Sequence, residues 1–125
     1  MLGSYPIVAF AATQDPARAK TFYRDKLGLR LISEDQFAIV FDAGGTMLRV
    51  TPVEKVAVGG YTVLGWHVPD IVETATALTK AGVVFERYPG MQQDDVGVWT
   101  APGGAKVAWF RDPDGNTLSL SQYPT

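Results

Sequence analysis

Residues 110–118 read FRDPDGNTL, and they combine the end of one strand, a tight turn and the start of the next strand. Pro and Gly stand where a turn needs their backbone geometry, and the Asp and Asn side chains can bond locally to the backbone. After the turn, hydroxyl and apolar residues alternate over 117–122, which is the period of a strand with one polar and one apolar face. The segment predicts a β-hairpin with strands at 106–111 and 117–122.

The segment 15–29 reads DPARAKTFYRDKLGL and predicts a helix. Asp15 can cap the free N–H groups of the first turn, Pro16 fits the first helical position, and Gly28 can end the helix in a left-handed conformation. The helix therefore follows one strand pattern and precedes three more, which is the order β-α-β-β-β. These strand patterns lie at 5–11, 29–33, 37–41 and 47–53.

The second half repeats this plan. Asp70 and Glu73 form a capping-box pattern, and Gly82 ends the helix, so both ends follow Asp15 and Gly28 at nearly the same offset. The last turn comes later, by roughly fifteen residues, which predicts a longer loop around 88–104 that could cover a cavity. The predicted strands of this half lie at 63–68, 83–88, 96–100, 106–111 and 117–122.

The chain has the size and composition of one globular domain. It has 125 residues, of which 46% are hydrophobic and 19% charged, and no apolar run approaches the roughly 20 residues of a membrane-spanning helix. A net charge of −2 with scattered Lys and Arg argues against binding to nucleic acid. The absence of cysteine excludes disulfides and thiolate ligands, and the first residues show no export signal, so a cytoplasmic location is expected.

Taken together, these motifs resemble the glyoxalase/bleomycin-resistance/dioxygenase (vicinal oxygen chelate) superfamily. The first helix has the Phe-Tyr pair at 22–23 and the Leu-Gly stop at 27–28, and the final hairpin has the F-x-D-P-D-G-N pattern at 110–116. The resemblance implies an α+β fold of two tandem βαβββ modules, about 1–58 and about 61–125, that form a cupped mixed sheet. It also implies a homodimer.

The resemblance has one informative exception. Metal-dependent members of the superfamily line the cup with four ligands, typically His, Glu, His and Glu. The matching positions in this sequence hold Val8, Arg49, Val63 and Ser119, which are two apolar side chains, a permanent cation and a neutral hydroxyl. The expectation is therefore a protein with no metal and no other cofactor.

Strand parity predicts which side chains share the cup, because residues two apart lie on one face of a strand. His67, the only histidine, shares a face with Gly65 and Val63, and Leu64, Trp66 and Val68 then face the helices. Among the large side chains near the loop, Tyr88, Met91, Trp99 and Trp109 could each be a wall, and Trp99 is preferred because it borders the loop. The candidate ligand-binding residues are Arg49, His67, Thr117, Ser119, Ser121, Val8, Phe10, Met47, Val63 and Trp99.

Two classes of function fit these residues. The preferred one is a protein that binds a small, partly apolar anionic molecule without a metal, as related bleomycin-resistance proteins sequester a drug. The alternative is an enzyme of the lyase, isomerase or dioxygenase class that uses His67 as acid or base and Arg49 to stabilise an anion, or a metal-dependent enzyme whose ligands lie elsewhere. Whether the chain is an enzyme stays open at this point, because a lone His, a solvated Arg and a polar strand face also occur without function.

Overall fold

The computed structural model describes residues 1–124. The chain divides into two compact units, Met1–Val58 and a second unit that begins at Gly59. Each unit contains one four-stranded mixed sheet and one main helical segment, in the α+β arrangement that the sequence predicts.

A parallel strand pair organises the sheet of the first unit. Its elements, after a short 3-10 turn at Leu2–Ser4, are β1 (Val8–Thr13), α1 (Pro16–Lys20), β2 (Arg30–Glu34), β3 (Ile39–Ala43) and β4 (Thr46–Pro52). The strand order is β1-β4-β3-β2, in which β1 runs parallel to β4 and the other neighbours are antiparallel. The strands predicted at 5–11 and 37–41 begin three and two residues later than the sequence indicated. Differences of this size are common at the ends of assigned elements.

The first helix begins as predicted but winds differently in its second half. The Asp15 carboxylate accepts a hydrogen bond from the backbone N–H of Arg18 at 3.2 Å, so the predicted cap forms. Only Pro16–Lys20 is α-helical, and Thr21–Lys26 continues as a π-helix. Over so few turns the apolar spacing does not distinguish the two windings. Gly28 ends the segment with φ of 77°, the left-handed conformation that glycine adopts without strain.

One face of this sheet packs on the helical segment. Phe22 and Tyr23 are both buried, and their rings meet edge to face with centroids 5.3 Å apart. The Tyr23 ring also lies 5.9 Å from the ring of Phe41 on β3. The buried strand residues that complete this core are Ala11, Ile39, Phe41, Leu48 and Val50. The helix covers one face of the sheet, so the alternate residues of the same strands lie on the other face.

The second unit repeats the topology. Its elements are β5 (Thr62–His67), α2 (Ile71–Lys80), β6 (Trp99–Thr100), β7 (Lys106–Arg111) and β8 (Thr117–Gln122), in the order β5-β8-β7-β6 with β5 parallel to β8. The bounds of β7 and β8 are those predicted. The Asp70 carboxylate accepts from the N–H of Glu73 at 3.1 Å, which confirms the predicted start of α2. Trp66 is half-buried and stacks on the buried Phe110 at 6.4 Å between ring centroids, so Trp66 faces the helix as parity predicts.

The strand predicted at 83–88 does not form, and the strand predicted at 96–100 is only two residues long, Trp99–Thr100. Instead, Gln93 braces an irregular loop: its side-chain amide donates to the carbonyl oxygens of Glu86 and Gly97, both at 2.9 Å, and accepts from the N–H of Tyr88 at 2.8 Å. The Arg87 guanidinium adds further bonds to loop carbonyls. These side-chain bonds satisfy backbone groups that a strand ladder would otherwise pair.

Within the described part of the chain, residues 1–124, no helix has the length and apolar character needed to cross a membrane.

Candidate functional site

Arg49 lies on the face of the first sheet that is turned away from the helical segment of its own unit. On β4 it is opposed by Phe10 of the parallel strand β1 and by Val40 of the antiparallel strand β3. Met47 and Thr51 share its face because they are two residues away on the same strand. A cation therefore stands between two apolar cross-strand neighbours.

Three apolar residues of this face are exposed to solvent, whereas Val40 on the same face is buried. Phe10 is 60% exposed, Met47 43% and Val8 40%, whereas the alternate residues of the same strands are buried in the core. Small isolated apolar groups are common on protein surfaces, but a contiguous group around a charge is typical of a binding site. The strand register places Val8, Phe10, Met47 and Arg49 on one face of the sheet.

Arg49 differs from Arg24 and Arg30 of the same unit in having no acidic partner among residues 1–124. Arg24 lies 2.8 Å from the Asp25 carboxylate, and Arg30 lies 4.0 Å from that of Asp42. Within residues 1–124, no carboxylate approaches the guanidinium of Arg49 within 4 Å, and no side chain or backbone carbonyl accepts a hydrogen bond from it. Its donors remain free for a ligand or for water.

The field of Arg49 does reach one carboxylate. The pKa of Asp35 lies below its ordinary value, chiefly because the carboxylate accepts hydrogen bonds from the backbone N–H groups of Phe37 and Ala38. The positive charge of Arg49 lowers this pKa further, as the smallest of the contributions. Asp35 is committed to its own turn, so it does not neutralise Arg49.

His67 lies on the open face of the second sheet. It is exposed and pairs with Ser121 across the parallel strands β5 and β8. Its ring meets the ring of Tyr123 edge-on, with centroids 5.0 Å apart. The imidazole is therefore held beside an aromatic ring and near a hydroxyl, and it remains accessible to a ligand.

A row of hydroxyl groups runs along β8 on the same face. Thr117 and Ser119 are each only 7% exposed, and Ser121 is half-buried, whereas Leu118 and Leu120 are buried on the helix side. Across the described residues, neither the Thr117 nor the Ser119 hydroxyl has a hydrogen-bond partner. The polar and apolar alternation predicted for this strand is confirmed.

The register differs from the parity rule at Val63. A β-bulge falls between Thr62 and Leu64, so Thr62 opposes Thr117 and Leu64 opposes Leu118. Val63 is the extra residue at this shift and has no direct partner on β8. It is 42% exposed, and the pattern of single residues gave no signal of the shift.

The aromatic side chain closest in register to the hydroxyl row is one that the sequence ranked low. Trp109 directly opposes Ser119 on β7 and β8. Trp99, the preferred candidate, opposes Val107 and lies 6.1 Å from Trp109 between ring centroids. The alternation along 107–111 was the available signal, since it places Trp109 on the face opposite to the buried Phe110.

The donor set at the four ligand positions does not fit a divalent metal. Val8 and Val63 offer no donor atom, Arg49 is a cation, and the Ser119 hydroxyl is a weak neutral donor. In the part of the chain that the structure describes, no three His, Cys, Asp or Glu side chains group closely enough to hold an ion. No chemical step is therefore assigned to a metal.

These features define a duplicated βαβββ protein in which each sheet carries polar groups beside apolar side chains on the face turned away from its own helix. The sequence matches the model of the Glyoxalase/Bleomycin resistance protein/Dioxygenase superfamily over residues 7–120, and the chain belongs to that superfamily. A search of curated proteins gives no match.

Solved structures of differently described proteins share this fold. A lactoylglutathione lyase from Agrobacterium tumefaciens is 20% identical with a TM-score of 0.73, covering 95% of this chain and 93% of its own. A superfamily member from Sphaerobacter thermophilus DSM 20745 is 25% identical with a TM-score of 0.73, covering 96% and 99%. A genomically encoded fosfomycin resistance protein from Listeria monocytogenes is 11% identical with a TM-score of 0.74, covering 96% and 93%. These similarities establish the fold and leave the ligand open.

Proposed function

We propose that this chain binds a small, partly apolar anionic molecule, and that Arg49 is the anchor for its negative group. One observation carries the proposal: the guanidinium of Arg49 has no acidic partner among residues 1–124 and stands between Phe10 and Val40. A planar guanidinium can donate two parallel hydrogen bonds to a carboxylate, a phosphonate or a similar anion.

The surrounding side chains set the rest of the ligand's chemistry. Phe10 and Met47 expose apolar surface on the same face as Arg49, so a hydrocarbon or aromatic portion attached to the anion would be removed from water there. Each Å² of apolar surface so buried is worth roughly 25 cal/mol. An anion with no apolar portion would lack this term and bind more weakly.

The names of two structural neighbours support a small-molecule ligand. One is a lactoylglutathione lyase and another is a fosfomycin resistance protein, and both names refer to small molecules. The identities of 20% and 11% do not transfer either activity to this chain.

A catalytic role for His67 is the second candidate, and the exposed ring near Ser121 and Tyr123 favours it. In that reading, His67 transfers a proton and Arg49 stabilises negative charge that develops on the substrate. Binding is preferred because Arg49 alone accounts for an anion site, whereas a proton transfer also requires a substrate placed against His67.

The proposal is tested by thermal-shift screening of a library of metabolites and antibiotics against wild type, Arg49→Met and Arg24→Met. Arg24 is the matched control because the same substitution removes an arginine already paired with Asp25. Loss of a charged hydrogen bond costs about 1.5–3 kcal/mol, so anionic hits should bind Arg49→Met about ten- to a hundredfold more weakly. Hits that bind both variants as tightly as wild type would show that Arg49 is not the anchor.

A further inference from the structure

The open face of the second sheet carries a cluster of three aromatic rings around Trp109. The Tyr88 ring meets Trp109 edge-on at 5.6 Å and 77°, and the Trp99 ring lies 6.1 Å from it at 34°. Trp109 and Trp99 are only half-buried, so their rings retain contact with solvent. This aromatic cluster of Tyr88, Trp99 and Trp109 lies outside the core, where Trp66 packs on Phe110.

The loop bonds described above hold one member of the cluster in place. Gln93 accepts a hydrogen bond from the N–H of Tyr88 at 2.8 Å and donates to the carbonyl of Glu86 at 2.9 Å. The N–H of Glu86 in turn donates to the carbonyl of Trp109 at 2.8 Å. Tyr88 is therefore fixed against Trp109 before any ligand binds, which reduces the entropy cost of binding.

A polar group stands directly beside these rings without a partner. Ser119 opposes Trp109 across the antiparallel strands, a pairing that places Cβ atoms about 4.5–5.5 Å apart. Ser119 has a relative exposure of only 7%, yet among residues 1–124 its hydroxyl makes no hydrogen bond. No fully buried polar side-chain atom of the described residues lacks a partner, so this hydroxyl keeps some access to solvent.

Gly65 leaves the space that this hydroxyl uses. A Cβ at position 65 would lie 2.9 Å from the Ser119 Oγ, which is closer than real Cβ atoms approach. Gly65 opposes Ser119 on the parallel pair β5 and β8, so the Oγ lies on the open face, the face of Trp109. A hydroxyl with little access to solvent and no partner in the protein can gain a hydrogen bond from a ligand or from water.

We infer that Trp109 and Ser119 form a binding site for a planar aromatic molecule with a hydrogen-bonding group on its ring edge. The ring stacks on the indole of Trp109, and Trp99 and Tyr88 limit its sideways movement. The edge group exchanges a hydrogen bond with the Ser119 hydroxyl. The residues of this site all belong to the second unit, and uncharged probes test it without reference to the charge of Arg49.

Two uncharged probes of similar size separate stacking from general apolar contact: 2-naphthol, which is planar, and decahydro-2-naphthol, which is saturated. Both carry a hydroxyl, so only the aromatic surface differs. Binding is followed by two-dimensional NMR titration of the intact protein, in which the indole N–H signals report on the tryptophans. Wild type should bind 2-naphthol about tenfold more tightly than decahydro-2-naphthol, with the largest shift at Trp109.

Two variants give different signatures. Trp109→Leu should remove the preference for 2-naphthol, whereas Ser119→Ala should weaken both probes by about threefold or more and keep the preference. Phe37→Leu is the control, because Phe37 is 67% exposed and lies outside both proposed sites. Equal binding of the two probes to wild type, or an unchanged preference in folded Trp109→Leu, would overturn the inference. If Trp109→Leu does not fold, the comparison of probes on wild type and Ser119→Ala still decides it.

Discussion

Phe10 and Arg49 are direct cross-strand neighbours on the parallel pair β1 and β4, and Phe10 is 60% exposed. The arrangement places an open aromatic ring beside a guanidinium that has no acidic partner within residues 1–124. An exposed salt bridge would contribute little to stability, and here the chain provides none. Under the proposed function, the pair is the surface that binds a ligand with both an apolar portion and a negative charge.

The purified protein should hold no stoichiometric divalent metal. The four ligand positions hold Val8, Arg49, Val63 and Ser119, of which one repels cations and two have no donor atom. Elemental analysis after purification without chelator should find far less than one equivalent of any divalent ion. About one equivalent that survives dialysis and is lost on substitution of these strands would contradict the assignment.

The chain should form a homodimer at micromolar concentration. Within their own sheets, β1 and β5 are edge strands, and edge strands with free backbone groups are protected in most proteins by pairing or covering. Light scattering should give twice the 13.5 kDa mass of one chain. A monomer mass under these conditions would argue against the dimer.

The charge of Asp35 should stabilise the fold at neutral pH. Its pKa is lowered in the folded state by hydrogen bonds from Phe37 and Ala38. The contribution is therefore present above the ordinary pKa of 3.8 and is lost as the pH falls through the lower folded pKa. Asp35→Asn should unfold at a lower denaturant concentration than wild type at pH 7, and the difference should shrink below pH 3.8.

Glu54→Gln is the control for this pH dependence, because it removes one exposed carboxylate outside this turn. It should leave the difference between pH 7 and acid unchanged. If Asp35→Asn behaves like Glu54→Gln at every pH, the Asp35 turn does not contribute in this way.

Replacing His67 distinguishes binding from catalysis. If the chain is a binding protein, His67→Gln should change the affinity of thermal-shift hits by less than about tenfold, and mass spectrometry should find no conversion of these hits by wild type. Conversion by wild type that falls about a hundredfold or more in His67→Gln, with binding retained, would instead establish the catalytic alternative.

The sequence predicted the fold where local signals were complete. The bounds of β7 and β8 followed from the turn at 112–116 and from the alternation on either side of it. The strand predicted at 83–88 failed because Gln93 satisfies the backbone of Glu86, a bond that no periodicity reveals. The bulge at Val63 was also hidden, since one extra residue changes the pairing without changing the composition.

Local sequence signals predicted only part of the candidate site. The turn before β4 and the period of two placed Arg49 and Met47 on one face. The position of Phe10 beside Arg49 depends on the register of two strands that are far apart in sequence, which the local pattern does not fix. Trp99 was preferred to Trp109 because it borders the loop, and only the strand register showed that Trp109 lies opposite Ser119.

The central claim is tested most directly by a double-mutant cycle between the protein's charge and the ligand's charge. Calorimetry would measure 4-phenylbutyrate and its neutral amide against wild type and Arg49→Met, with Arg24→Met as control. Wild type should prefer the carboxylate by about tenfold or more, and Arg49→Met alone should lose this preference while it still binds the amide like wild type. An equal preference for the carboxylate in wild type and Arg49→Met would contradict the assignment of Arg49 as the anion anchor.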